Sequence, residues 1–243
     1  MSPRSLTGTS VVILRVGDSP DAVADGLVEK GAVANTVRVA TVSDRADHDV
    51  AADVGALNRF AWVAVTSANA ARRLALWSAR WPSDTRIGAV GPATLAAIGA
   101  LGLRGDAVAS EGTAADLARH IDAGPVLFLA AANARADLVH ELASRGIEVA
   151  TVVAYDVESV PLDPDARALV LASDAIVAMA PSAIDALVSM DERARRTARG
   201  IPLVAFGPST ERHAGRLGWP IASVASRRDP QAVADALGVA LAR

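Results

Sequence analysis

Short apolar runs rich in Val and Ile alternate along the chain with Ala-rich stretches whose apolar residues recur at helical spacing. This alternation is the βαβα signature of a parallel sheet covered by helices on both faces. It predicts strands at VVILR 11–15, TVRVATV 36–42, WVAVTS 62–67, RIGAVG 86–91, PVLFLA 125–130, EVATVVAYDV 148–157, AIVAMA 175–180 and IPLVAFG 201–207. Helices fill most of the gaps. Asp18, Ser19 or Pro20 opens the first, which runs to Gly31 as its stop, and Ser67 and Pro92 stand at the start of two others.

The pattern also repeats itself. Residues 11–42 align with residues 126–157 at a shift of 115, with Leu27 over Leu142 and Gly31 over Gly146. WVAVTSANAARRL aligns with AIVAMAPSAIDAL at a shift of 113, and AVGPAT with AFGPST at 116. Unit pairs in one order at a nearly constant shift point to duplication rather than to shared periodicity alone. The repeat by itself divides the chain near residue 123. Two α/β halves would each present helix N-termini at the carboxyl edge of a sheet, where ligands of open α/β sheets bind, so a cleft between domains is the expected site.

Composition narrows the chemistry. Of 243 residues, 51% are hydrophobic and 21% charged, far from the make-up of a disordered chain. A net charge of −3 gives no overall basic field for nucleic acid or an anionic membrane. With no cysteine, disulfides, thiolate catalysis, iron–sulfur clusters and Cys-built zinc sites are excluded. Lys30 is the only lysine, so Schiff-base chemistry would have to use it, and its place at the end of a helix pattern reads as a cation favourable to the dipole. The first residues lack the charged and apolar regions of a signal peptide, and no run approaches the length of a membrane span, which makes a cytoplasmic protein the natural expectation. Dinucleotide, P-loop, nucleophile-elbow and HExxH motifs are absent, as are clustered acids for a di-metal site. His48, His120, His140 and His213 show no metal-ligand spacing and read as surface residues.

What remains is a set of strand-to-helix junctions. In Gly91-Pro92-Ala93-Thr94 the glycine allows a tight turn, Pro92 fixes φ in the first helical turn, and the Thr94 hydroxyl is free there; Gly207-Pro208-Ser209-Thr210 repeats this. Such a terminus suits a carboxylate or phosphate, although an economical turn with a threonine bonding its own backbone explains the same residues. Thr66, Ser67 and Asn69 make another junction, and its repeat partner keeps a hydroxyl at Ser182 while replacing Thr66 and Ser67 by Met179 and Ala180. Tyr155, the only tyrosine, ends a Val-rich run and is either a packed side chain or a functional phenol. Arg15 ends the first strand, where an exposed guanidinium pairs with a ligand carboxylate or makes an ordinary surface ion pair. Together these describe a cofactor-free cleft suited to a polyanionic organic ligand.

The ordered set AVTSANA, IGAVGPATLAAIGALGL with EGTAADLARHI, LVHELASRGIEVATVVAYDV, and VAFGPSTERHAGRLGW with DPQAVADAL resembles the uroporphyrinogen-III synthase family over nearly the whole chain. The resemblance implies two flavodoxin-like α/β domains joined by a two-stranded connector, one of about 1–38 plus 160–243 and the other about 41–155, with crossings near 38–44 and 155–162. It implies closure of the linear tetrapyrrole hydroxymethylbilane to uroporphyrinogen III, with loss of water and inversion of ring D, by a monomer using no metal or cofactor and fed by hydroxymethylbilane synthase. By position, Tyr155 matches the family's tyrosine that assists departure of the substrate hydroxyl. Arg15, Thr66, Ser67, Gly91, Thr94, Ser182, Gly207 and Thr210 match substrate-binding positions. The chain departs from the family at Leu129-Ala130, where many relatives have Pro-Arg, and at Met179-Ala180. Those departures also allow a non-catalytic tetrapyrrole- or polyanion-binding domain on the same scaffold, and the generic cleft allows a small-molecule sensor.

Overall fold

The computed structural model describes residues 6–17 and 21–242, so the expected helix start at Asp18, Ser19 or Pro20 lies outside the described residues. In chain order the elements are β1 (Ser10–Val16), α1 (Ala22–Val28), β2 (Val33–Asp44), α2 (Asp47–Val54), β3 (Trp62–Val65), α3 (Ala68–Arg72), β4 (Arg86–Ala89), α4 (Pro92–Gly99), β5 (Ala107–Val108), α5 (Ala114–His120), β6 (Val126–Ala131) and α6 (Asp137–Ser144). They continue as β7 (Val149–Ser159), α7 (Pro164–Leu171), β8 (Ala175–Ala178), α8 (Pro181–Val188), α9 (Glu192–Ala198), β9 (Leu203–Ala205), α10 (Pro208–Arg216), β10 (Ser223–Val224) and α11 (Pro230–Ala240). All eight sequence-predicted strands form. β5 and β10 were not predicted: each is two residues long and lies at a sheet edge, too short to show any periodicity.

The chain divides into two compact units, residues 1–42 with 158–243, and residues 43–157. The cuts fall inside β2 and β7 rather than near residue 123. In the first unit the strands lie in the order β10-β9-β8-β1-β2, in the second β7-β6-β3-β4-β5. Every neighbouring pair within each unit is parallel.

Alternation of side chains across a strand makes the two layers of each unit. In the first, Val12, Leu14, Ile176, Ala178 and Leu203 pack on one face with Val170, Ile184, Leu187 and Trp219 from the α7 to α10 side. The intervening Val11, Ile13, Ala175, Val177 and Val204 pack on the other face with Val23 and Leu27 of α1 and Val233 and Leu237 of α11. The second unit repeats the scheme, with Trp62, Ala64, Val126, Phe128 and Ala130 against Leu117 of α5 and Leu138 and Leu142 of α6. Val63, Val65, Leu127 and Leu129, facing the opposite way, are equally buried. Because both faces are covered, the strands read as continuous apolar runs.

Asp21 opens α1, its Oδ1 accepting the N–H groups of Val23 and Ala24 at 3.1 and 3.2 Å. The helix ends at Val28, before Gly31, whose φ of 87° belongs to the left-handed region and whose Cβ, if present, would stand 2.9 Å from Thr7 Oγ1. Lys30 is therefore past the helix rather than in its last turn, and its Nζ donates to Gln231 Oε1 of α11 at 2.7 Å.

Candidate functional site

Parallel strands end on the same edge, and their register decides which residues emerge together there. In the second unit Val65 of β3 stands opposite Ala89 of β4 and Leu129 of β6, so the Thr66-Ser67 and Gly91-Pro92 junctions leave the sheet side by side. Ser67 caps α3, its Oγ accepting the Ala70 N–H at 3.0 Å. The same oxygen lies 2.8 Å from the Tyr155 hydroxyl. Tyr155 comes from β7, opposite Ala131 of β6 just after an irregularity between Ala130 and Ala131. It is 6% exposed. Burial pushes its phenol above the ordinary value, while the Ser67 hydrogen bond and the Arg72 charge pull the other way. The structure thus joins Ser67 and Tyr155 into one hydroxyl pair whose phenol stays protonated. Thr66 is half-buried beside it and forms no side-chain hydrogen bond among the described residues.

The two Gly-Pro junctions have nearly the same backbone: Gly91 has φ 176° and ψ 177°, Gly207 φ 170° and ψ 175°, each preceding a proline in the first helical turn. This is extended backbone open to any residue, so the expected tight turn is not why glycine stands there. Both threonines stand in the first helical turn with hydroxyls that bond no described residue, as expected, but their side chains are buried. Thr94 is 4% and Thr210 1% exposed, on the same inward stripes as Ile98 and Ala214. Neither hydroxyl bonds the helix backbone or any other described residue, so self-capping fails as an explanation as well. Each threonine is thus buried with its hydroxyl unpartnered among the described residues.

In the first unit, Leu14 of β1 stands opposite Ala178 of β8, and Ala178 opposite Ala205 of β9, which brings out Arg15, the start of α8 and Gly207 along one edge. Arg15 is not the exposed guanidinium expected. Its side chain is 14% exposed and lies 3.5 Å from Asp21 Oδ2, so the Asp21 that caps α1 also holds it. Ser182, the second residue of α8, has a buried Oγ without a hydrogen-bond partner. Met179, which replaces a hydroxyl residue, packs partly buried against the core, and Ala180 precedes α8 without a side-chain cap. Two residues that sequence reasoning passed over also belong to these edges. Arg72 donates to Asn69 Oδ1 and adds positive charge near Tyr155. Arg228 lies against Gly207. Neither sits in a motif, since both depend on where a loop or helix face returns to the sheet edge.

A groove of about 450 Å³ is lined by Val188, Arg195 and Arg199, and one of about 610 Å³ by Asp25, Lys30 and Arg227. None of the expected site residues lines either, so depth alone does not mark the chemistry. His213 is not the plain surface residue expected: half-buried, it is held between Asp185 at 2.6 Å and Arg216 at 2.9 Å. Among the described residues no three His, Asp or Glu side chains are grouped to hold a metal ion. No described helix is long and apolar enough to cross a membrane.

The family model for uroporphyrinogen-III synthase HemD matches residues 21–235. The chain belongs to the uroporphyrinogen-III synthase family. Its fold is similar to that of a mutant uroporphyrinogen III synthase from Thermus thermophilus, with TM-score 0.66 and 16% identity over 96% of this chain and 99% of that one. The uroporphyrinogen-III synthetase of Helicobacter pylori gives TM-score 0.60 and 16% identity over 96% and 99%. At such identities the likeness speaks for the fold, and the family assignment rests on the sequence model. No curated protein matches the chain.

Proposed function

We propose that the protein is a uroporphyrinogen-III synthase, a cyclising hydro-lyase that closes hydroxymethylbilane to uroporphyrinogen III with inversion of ring D and loss of water. The observation that carries this reading is a family match over residues 21–235 that contains the buried Tyr155–Ser67 pair at a sheet edge. In the proposed course, the phenol of Tyr155 donates to the terminal hydroxyl of the substrate. The C–O bond breaks with its electron pair going to oxygen, water departs, and the pyrrole nitrogen carries the resulting azafulvene cation. Ring D attacks through its substituted carbon, and the spirocyclic intermediate fragments and recloses. The proton lost as the pyrrole regains aromaticity balances the one lent to the leaving oxygen. Burial favours this role, because a phenol raised above its ordinary value is a donor throughout the neutral range.

The remaining task is conformational: holding a flexible octacarboxylate in the one arrangement that leads to the inverted ring. Thr66, Gly91 and Thr94 from one unit, and Arg15, Ser182, Gly207 and Thr210 from the other, are the proposed contacts. The Ser182 hydroxyl supports this, since a buried polar atom without a protein partner is uncommon. Arg15 makes its proposed contact from a position set by its ion pair with Asp21.

We further read the two units as flavodoxin-like domains from an internal duplication, with β2 and β7 as the connector. The irregularity between Arg15 and Val16 in β1 recurs 115 residues later between Ala130 and Ala131 in β6, which supports that reading. The deciding experiment incubates the purified chain with hydroxymethylbilane and separates the oxidised isomers. Isomer III is the expected product; isomer I alone, formed spontaneously, sinks the proposal, and binding of isomer III without turnover would leave a non-catalytic tetrapyrrole-binding domain.

A further inference from the structure

Arg228 lies in the segment between β10 and α11, and its guanidinium packs on the open face of Gly207: a Cβ built there would stand 3.4 Å from Nε and 3.8 Å from Nη2. The nearest carboxylate in sequence is already used twice. Asp229 Oδ2 accepts from Arg227 Nε at 2.7 Å, and Oδ1 caps α11 by accepting the Ala232 N–H at 2.8 Å. Arg228 is left with no hydrogen bond or ion pair to any described residue. The Arg228 side chain is exposed, and its packing on Gly207 removes enough water from the guanidinium to push it below the ordinary value. On the first turn of α10, three residues after Gly207, Thr210 is 1% exposed with its hydroxyl unpartnered among the described residues. The equivalent junction of the other unit has no such cation: nothing lies within 4 Å of a Cβ at Gly91, and Gly112 stands 116 residues before Arg228.

We propose that Arg228 is a substrate-binding residue that holds one side-chain carboxylate of the tetrapyrrole against Gly207 and the first turn of α10, a grip that only one of the two units supplies. The planar guanidinium offers two parallel N–H donors matched to a carboxylate, and it does so at Gly207, the residue that opens the helix carrying Thr210. The inference rests on the tetrapyrrole reading above and assigns it a further specificity-determining residue.

Two measurements on wild type, Arg228→Met and Arg228→Lys test it: KM and kcat for isomer III formation, and fluorescence titration with uroporphyrin III, an octacarboxylate, against coproporphyrin III, a tetracarboxylate. Arg228→Met is expected to raise KM about tenfold with kcat within about twofold, weaken uroporphyrin III more than coproporphyrin III, and leave the thermal midpoint nearly unchanged, because a guanidinium without protein partners contributes little to folding. Arg228→Lys should recover part of the loss. Unchanged KM and unchanged uroporphyrin III affinity in Arg228→Met overturn the inference while isomer III formation by wild type keeps the enzyme reading. The opposite split, no isomer III from wild type but Arg228-dependent binding of uroporphyrin III, overturns the enzyme reading and keeps Arg228 as a carboxylate-binding residue.

Discussion

At position 155 a phenol is buried and bonded to a serine that already accepts a backbone N–H, and these two constraints set what the pair does. Tyr155→Phe is expected to lower kcat for closure by about 10²-fold, the scale of a lost acid contribution, with little change in the thermal midpoint, since Ser67 keeps its cap on α3. Ser67→Ala should slow closure as well and also destabilise by about 1 kcal/mol, the usual value of a lost helix cap. The same group fixes the pH profile. The folded chain holds the Tyr155 proton more tightly than the unfolded chain does, so its contribution to stability is complete below pH about 10 and is lost as pH rises beyond it. The Tyr155-dependent rate should therefore be level from about pH 7 to 9, and a decline centred near pH 8 would remove the phenol from the role of donor. That Tyr155 is the only tyrosine was visible in the sequence, but its partner was not: Ser67 lies 88 residues away and meets it only because β7, β6 and β3 are neighbours.

Helix starts were legible where the local chemistry is complete within a few residues. Ser67 caps α3 through its own hydroxyl, and Pro92 and Pro208 fill first-turn positions that need no N–H donor. The role of the threonines three residues after Gly91 and Gly207 was not, because facing inward or outward depends on what α4 and α10 pack against. Replacing both by valine tests the assignment at the level of these two helices. Thr94→Val with Thr210→Val keeps the buried stripe and removes two unpartnered hydroxyls, so stability should stay level or rise slightly. If the hydroxyls meet substrate, KM for hydroxymethylbilane rises in the pair by more than in either single variant; equal KM in all three would make the threonines packing residues only. The edge strands β5 and β10 escaped for the opposite reason: two residues carry no pattern, and only pairing with β4 and β9 makes them strands.

For the whole molecule the consequential pairings are β1 with β8 and β3 with β6. β1 lies before and β8 after residue 123, where the sequence pattern alone divides the chain, so the compact units do not coincide with that division. Each unit joins strands from both sides of it. Residues 43–157 are one continuous segment with its own five strands and a core around Trp62, Phe128, Leu117 and Leu142. Expressed alone, this segment is expected to unfold in a single cooperative denaturant transition and to form no isomer III. A broad, non-cooperative transition would mean that the segment depends on the rest of the chain for its packing.

The sequence by itself determined the class of fold, because apolar runs covered on both faces and Ala-rich helical periods are local consequences of a doubly covered parallel sheet. It also determined the ordered family motifs, the helix starts capped by their own residues, and the absence of thiol chemistry. Only the tertiary structure decided which strands are neighbours, that Tyr155 meets Ser67, that Arg15 is engaged by Asp21, and that Arg228 returns to cover Gly207. The physical reason is sequence distance: periodicity and capping act over a few residues, whereas strand order and the pairing of buried polar groups are settled by contacts between segments far apart along the chain.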